Sequence, residues 1–325
     1  MNRDWEQILE QLDRFKLRYD KYAGSLIKLK KHVPNFIEVN HLFDHFQCHC
    51  PKDKIFISSY PVATEKFIGH ILVTCGTCFG SFIPKLKINL DDYYQKDYQF
   101  DVQPFRTVVQ TDGKFFDYFV KTDAYKRFSK RSLFLLEISD DKPEKKILDI
   151  GSGVGVLLKL SQSHSKYAVE PDPYSKVILT RELGVTVLNE IPDNSINLKF
   201  DTIFMSHVLE HYDPQSVDNV LMSIKNIMNS QGQLVIAVPD GANQITRLMN
   251  GSRDGILFEP HTINFSLKMM VDTLTRNGFA IKSASAPKSV DKSALYSDFF
   301  NGPITRLVSG EIVVVAQHNE HAEKM

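Results

Sequence analysis

Apolar and polar positions repeat with different periods along this chain, and the changes of period divide it. From residue 1 to 33, Trp5, Ile8, Leu12, Phe15, Tyr19, Tyr22, Leu26 and Leu29 follow steps of three and four. That 3.5-residue period predicts one long helix with a coiled-coil seam, suited to pairing two copies in a homodimer or to docking on its own chain. Gly24-Ser25 weakens its middle turn. Between 34 and 105 the pattern shortens to β-like runs, Lys54–Ser58 and His70–Thr74, followed by a tyrosine-rich acidic arm, Asp91–Phe105. Asp117–Ile138 then reads as a helix that Asp140-Asp141-Lys142-Pro143 breaks. After Lys145, short apolar strands (Lys146–Ile150, Tyr167–Glu170, Val185–Leu188, Phe200–Ser206, Gln233–Val238) alternate with helical spacing, as in Val154–Ser161 and Pro214–Met228. Such alternation predicts an α/β domain with a parallel sheet covered by helices. Ala280–Ala286 and Glu311–Gln317 read as two closing strands. The expected division is a helix (1–33), a small module with its arm (34–105) and the α/β domain (106–325).

Composition narrows the class. Lysine plus arginine and aspartate plus glutamate both number 39 in 325 residues, so the net charge is zero. Gripping a nucleic acid backbone needs clustered positive charge, which this balance does not favour. At 42% hydrophobic and 24% charged the chain is globular, without an apolar run of the ~20 residues a membrane span needs. The opening MNRDWEQILEQLDRF is charged and periodic, unlike a secretory signal, and the expected location is cytoplasmic.

Four cysteines, Cys48, Cys50, Cys75 and Cys78, all fall in the small module. Two close pairs separated by 24 residues are what a tetrahedral structural zinc needs, and Cys75-Gly-Thr-Cys78 has the form of a zinc-ribbon knuckle. The first pair is C-x-C, and His45 or His49 could stand in for one of its cysteines. Four reduced, buried thiols are the competing reading. A disulfide framework does not suit a chain of this size in a reducing compartment. No cysteine follows Cys78, so the α/β domain holds no catalytic thiol.

The chemistry concentrates in Ile147-Leu-Asp-Ile-Gly-Ser-Gly-Val-Gly155. A buried strand runs into a turn carrying Gly151, Gly153 and Gly155, then into a helix whose first N–H groups are free to meet a ligand. A dinucleotide fingerprint would want Gly or Ala where Val156 stands. Asp149 precedes the loop, and Glu170 follows at the end of the next strand, where ribose hydroxyls are bound in such folds. The segments ILDIGSGVG (147–155), YAVEPDPYS (167–175), FDTIFMSHVLEHYDP (200–214) and GQLVIAVPD (232–240) resemble those of the class I S-adenosylmethionine-dependent methyltransferases. The resemblance implies a Rossmann-like sheet, parallel except for one antiparallel strand near the C-terminus. It also implies that Gly151, Gly153 and Gly155 form the cofactor loop, that Asp149 meets the methionine amino group, and that Glu170, supported by Asp172, binds the ribose diol. Asn189 and Glu190 would lie by the adenine, and Ser206 by the methyl group.

The same resemblance places Ser206-His-Val-Leu-Glu-His211 beside the methyl group. His211 is the first candidate for a general base, His261 in Glu259-Pro-His-Thr-Ile-Asn-Phe-Ser266 the second, and His207 a pocket-shaping third. Ser266 reads as the N-cap of a helix, Leu267–Asn277, that Gly278 ends. The fourth-strand motif lacks the Asn/Asp-Pro-Pro-aromatic turn of amino-adenine methyltransferases, and a nucleic acid acceptor is not expected. A cysteine module ahead of such a domain looks like that of bacterial sugar methyltransferases. The implied reaction is O- or N-methylation of a small molecule or glycan. The rivals are a protein methyltransferase, with the module docking its target, and a non-catalytic assembly subunit on the same fold.

Overall fold

The computed structural model describes residues 37–39, 48–51, 54–60, 69–93, 115–121, 123–191, 198–251, 261–286 and 310–318. The predicted helix over 1–33 and most of the arm at 91–105 lie outside these residues.

Seven strands form the larger sheet: β5 (Lys146–Ile150), β6 (Ser165–Val169), β7 (Thr186–Leu188), β8 (Phe200–Ser206), β9 (Met228–Pro239), β11 (Phe279–Ser285) and β12 (Glu311–His318). Their order is β11-β12-β9-β8-β5-β6-β7. All neighbours pair parallel except β12, which runs antiparallel to both β9 and β11. One strand therefore opposes the rest, as expected. From β5 the chain steps outward through β6 and β7, then returns to the other side of β5 as β8. This reversal opens a crevice beyond the carboxyl ends of β5 and β8, where ligands bind in open α/β sheets.

The two sides of the sheet are legible in side-chain alternation. Ile203, Met205, Ile312 and Val314 face one core, Phe204, Val313 and Val315 the other. On the second face lie α2 (Asp123–Ile138), α3 (Val156–Leu160) and α4 (Pro173–Arg181), through Leu135, Leu157 and Leu179. On the first lie α5 (Val217–Ile227) and α7 (Leu267–Arg276), through Leu221, Ile224, Met270 and Leu274. Ser266 caps α7 by accepting from the Met269 N–H, and Gly278 follows the helix at φ +77°. The helix expected over Asp117–Ile138 is two: α1 (Phe115–Phe119) ends before α2 begins. Phe119 folds back onto Tyr125 and Phe128 of α2, with ring centroids 5.6 and 6.4 Å away, which a single straight helix does not allow.

The smaller sheet is wholly antiparallel, in the order β1-β2-β3-β4-β10. Four strands come from the cysteine module: β1 (Ile37–Val39), β2 (Ile55–Ser59), β3 (Ile71–Cys75) and β4 (Ser81–Phe82). The fifth, β10 (Ile263–Asn264), comes from the α/β part, between α6 (Gly241–Met249) and α7, and begins two residues after His261. The core is continuous across this junction: Ile57, Val73, Phe82 and all four cysteines pack in one cluster with Ile236, Ile263 and Met269. Among the described residues no helix is long and apolar enough to cross a membrane.

Candidate active site

The glycine loop turns where only glycine serves. Gly151, Gly153 and Gly155 have φ of +66°, +54° and +81°, in the left-handed region. A Cβ on Gly151 would lie 2.4 Å from Val208 Cγ2, and one on Gly155 would lie 2.5 Å from Leu179. A Cβ on Gly153 would meet no protein atom within 4 Å, because this residue faces open space. Gly155 thus packs the start of α3 against α4, while Gly151 and Gly153 border the cleft.

Two buried carboxylates stand at the loop. Glu170, 6% exposed, accepts the Gly153 N–H at 2.7 Å on one oxygen and the Asp172 N–H at 2.8 Å on the other. Each oxygen keeps a second lone pair for a ligand hydroxyl. Burial raises the Glu170 pKa to about 7, against the opposing pull of these two N–H groups. Asp149, 3% exposed, is pushed up to about 8 by burial and then by the charge of Glu170. Asp172 is turned away to other work: its carboxylate caps α4, accepting from the Tyr174 and Ser175 N–H groups and from Ser175 Oγ. Two carboxyl groups held dry at one end of a cleft suit a ligand that brings a cation and hydroxyl donors.

The cleft has a volume of about 1370 Å³ and continues past the loop. Asp149, Gly151, Gly153, Glu170 and Asp172 border one part of it. Asn189 and Glu190, after β7, Ser206, which ends β8, and His207 and His211 beyond it border the same space. Of the predicted cofactor and catalytic residues, Gly155 and His261 do not line it. Phe115, Phe119, Phe128 and Arg127 form a further wall that the sequence did not announce.

At the end of β8 the chain bends sharply. His207 adopts φ +58°, a strained value for a residue with a side chain, and its N–H donates to the Ala237 carbonyl at 2.7 Å. Its Nε2 lies 3.1 Å from Glu311 Oε1 and its Nδ1 3.6 Å from Glu210 Oε1. Glu311 in turn pairs with Arg131 of α2. Burial raises the Glu311 pKa, but the His207 hydrogen bond and the Arg131 charge outweigh it and hold the carboxyl below its usual value. The helical turn Leu209–His211 follows, and the His211 and His261 rings meet edge to face with centroids 5.0 Å apart. His261, 6% exposed, is anchored by its carbonyl, which accepts the buried Tyr60 hydroxyl at 2.5 Å. Tyr60, Arg131 and Glu311 have no sequence signal, since each partner is more than 100 residues away.

The four cysteines are reduced and buried, with sulfurs all within 4.8 Å of one another. Cys75 ends β3, and the turn to Cys78 is held by Cys75 N–H to Gly80 O and Phe79 N–H to Cys75 O, each 2.9 Å. Gly76 lies so close to Lys54 that a Cβ there would be 2.7 Å from its carbonyl oxygen. His49 is not with the sulfurs; its exposed ring lies 3.8 Å from Asp272 and its N–H donates to Asp272 of α7 at 2.8 Å. His45 lies outside the described residues.

Residues 121–284 match the family model described as a methyltransferase domain, which covers half of the chain. Among solved structures, an S-adenosylmethionine-dependent methyltransferase from Clostridium acetobutylicum is 13% identical, covering 61% of this chain and 93% of its own, with a TM-score of 0.42. Magnesium protoporphyrin IX methyltransferase from Synechocystis PCC 6803 with bound S-adenosylhomocysteine is 16% identical, covering 70% and 99%, with a TM-score of 0.45. No curated protein matches the chain. By its family match, its strand order and its glycine loop, the chain belongs to the class I S-adenosylmethionine-dependent methyltransferases, with a four-cysteine cluster ahead of the catalytic domain.

Proposed function

We propose that this methyltransferase acts on an oxygen or nitrogen of a small molecule, in particular a sugar or glycan unit. The observation that carries the reading is the single cleft, which joins the glycine loop to the β8 histidines and is larger than the roughly 300–1,000 Å³ usual for one small-molecule site. S-adenosylmethionine, when bound, supplies a sulfonium-activated methyl group that an acceptor lone pair displaces in line. The ammonium of its methionine part is matched by Asp149 and its ribose diol by Glu170, while Gly151 and Gly153 admit the ligand without a Cβ in the way. Asn189 and Glu190 border the adenine end, and Ser206 the end nearest the histidines. Phe128, half-exposed on α2, offers a flat apolar face on which a sugar ring can stack, and Arg127 a donor for its oxygens. His211, backed by His261, receives the proton that the acceptor loses. The cysteines hold zinc as a staple of the small sheet: four sulfurs this close match a tetrahedral thiolate site, and they lie apart from the cleft.

Calorimetric titration with S-adenosylhomocysteine tests the cofactor half, followed by methyl transfer to a panel of glycosides and amino sugars. Binding together with turnover on a glycoside supports the reading. Turnover confined to a protein target would replace the acceptor class, and absence of cofactor binding would remove the assignment of the loop. Elemental analysis after dialysis should find one zinc per chain.

A further inference from the structure

We infer that Glu210, His211 and His261 form a second metal site, distinct from the cysteines, that binds a divalent first-row cation through one carboxylate and two imidazoles. The inference rests on the proposed acceptor half of the cleft and redefines how its histidines act. Their ligand atoms all lie within 4.8 Å of one another, close enough for one ion to touch all three. Glu210 is 1% exposed, and a carboxylate so deep in the protein is costly unless charge and hydrogen bonds compensate it. It faces His207, His211 and His261, a neighbourhood that a cation completes.

The backbone holds this geometry from both sides. The Thr262 N–H and hydroxyl donate to the Glu210 carbonyl at 2.8 and 2.9 Å, and the hydroxyl also reaches the Tyr212 carbonyl. Tyr60 fixes the His261 carbonyl at 2.5 Å. The two ligand-bearing segments, 51 residues apart in sequence, are therefore tied together next to their ligands. Behind Glu210 the chain of contacts runs through His207 to Glu311 and Arg131, the kind of outer partnership that orients a metal-binding carboxylate. Of the three ligands His211 borders the cleft, so coordination positions not filled by protein open on that side. Two imidazoles and one carboxylate suit manganese, iron, cobalt or zinc. An acceptor hydroxyl bound there would lose its proton to solvent by coordination. Its oxygen lone pair would then form the new C–O bond as the C–S pair returns to sulfur. In this arrangement the two imidazoles serve as ligands, and His211 takes the role of base proposed above only where no ion is bound.

The test is equilibrium dialysis of the full chain, zinc-loaded at its cysteines, against Co2+, with absorption spectroscopy of the bound ion. The expected result is one further equivalent whose spectrum lacks thiolate-to-cobalt charge transfer, with affinity at least tenfold weaker in Glu210→Gln and in His211→Gln. S-adenosylhomocysteine binding, measured on the same samples, establishes that each variant is folded. No further equivalent in the unaltered chain, or equal uptake by folded variants, would overturn the site. If cofactor binding and metal-free turnover persist in that case, His211 is a base and the proposed function stands. If the unaltered chain does not bind S-adenosylhomocysteine, it is the proposed function that fails.

Discussion

The two halves of the cleft, proposed above for the cofactor and the acceptor, are built in opposite ways. The cofactor half is local: Asp149, the three glycines, Glu170 and Asp172 fall within 24 consecutive residues, and their conformations follow from adjacent backbone, as when Glu170 accepts the Gly153 N–H. The acceptor half is assembled from a distance. His261 hangs on Tyr60, 201 residues away, His207 on Glu311, 104 away, and Glu311 on Arg131, 180 away. A common ligand needs a reusable local motif, whereas an acceptor pocket is made by whatever tertiary contacts surround it. The difference also explains where the cysteine module matters. Its sheet ends on β10, two residues beyond His261, so the module supports the acceptor half and leaves the glycine loop alone.

Replacing Asp149 by Asn breaks the cofactor half most directly. Loss of the carboxylate proposed to meet the ligand's ammonium should weaken S-adenosylhomocysteine binding by about 100-fold, on the order of 3 kcal/mol. The same change should leave the ligand-free melting temperature at pH 8 equal or higher, because burial already disfavours the charged Asp149 side chain. Lower affinity with lower stability would mean that Asp149 serves the loop's structure. In the opposite direction, Cys78→Ser should reduce turnover more than about tenfold through displacement of β10 and His261, while S-adenosylhomocysteine affinity changes less than about threefold. Equal loss of both would show that the halves are coupled through the continuous core.

This contrast decides how much of the fold and the site is legible in the sequence. The strands of the larger sheet and the loop are legible because hydrophobic alternation and the glycine spacing are local signals, whereas the strand order is not written in either. The cysteine cluster was legible from residue type and pairing. The break between α1 and α2 was not, since the apolar spacing of 117–138 continues through it and only the ring contacts of Phe119 disclose the fold-back. The first residues of β9 escape the sequence pattern for a related reason. Met228 pairs with Phe200 across an irregular register that ends at Gly232, a residue without the alternating side chain that marks a strand. Glu210 was visible as part of HVLEH, but its meeting with His261 depends on Thr262 pinning one loop to the other.

The pH dependence sharpens the comparison with a smaller effect. Asp149 and Glu170 rise from ordinary values of 3.8 and 4.5 to about 8 and about 7 in the folded chain. Between about pH 4 and 8 the ligand-free protein therefore holds protons that the unfolded chain has released, and its stability declines as pH rises through that window. Asp140 and Asp218, whose pKa values are lowered, contribute a constant amount there. The ligand-free melting temperature should fall by several degrees from pH 5 to 8, on the order of a few kcal/mol. Asp149→Asn should flatten that slope, and bound S-adenosylhomocysteine should reduce it, because the ammonium of its amino-acid part favours the ionised carboxylate. Melting curves across this range, with and without ligand, check both. A rising ligand-free curve that Asp149→Asn leaves unchanged would place the carboxylates in a wetter setting than their burial implies.

The smallest effect is expected from Phe128→Ala, which separates the halves most cleanly. Phe128 is 41% exposed on α2 and borders the cleft beside Phe119, so its removal opens no internal cavity. Alanine is also the better helix former, and the melting temperature should stay within a degree or two. What the variant loses is one stacking face for the acceptor, worth about 1 kcal/mol, or roughly a fivefold rise in the acceptor KM. S-adenosylhomocysteine affinity should move less than twofold. A matching loss in cofactor affinity would put Phe128 against the cofactor and shift the acceptor toward the His211 end of the cleft, where Arg127 and the aromatic wall could no longer select it.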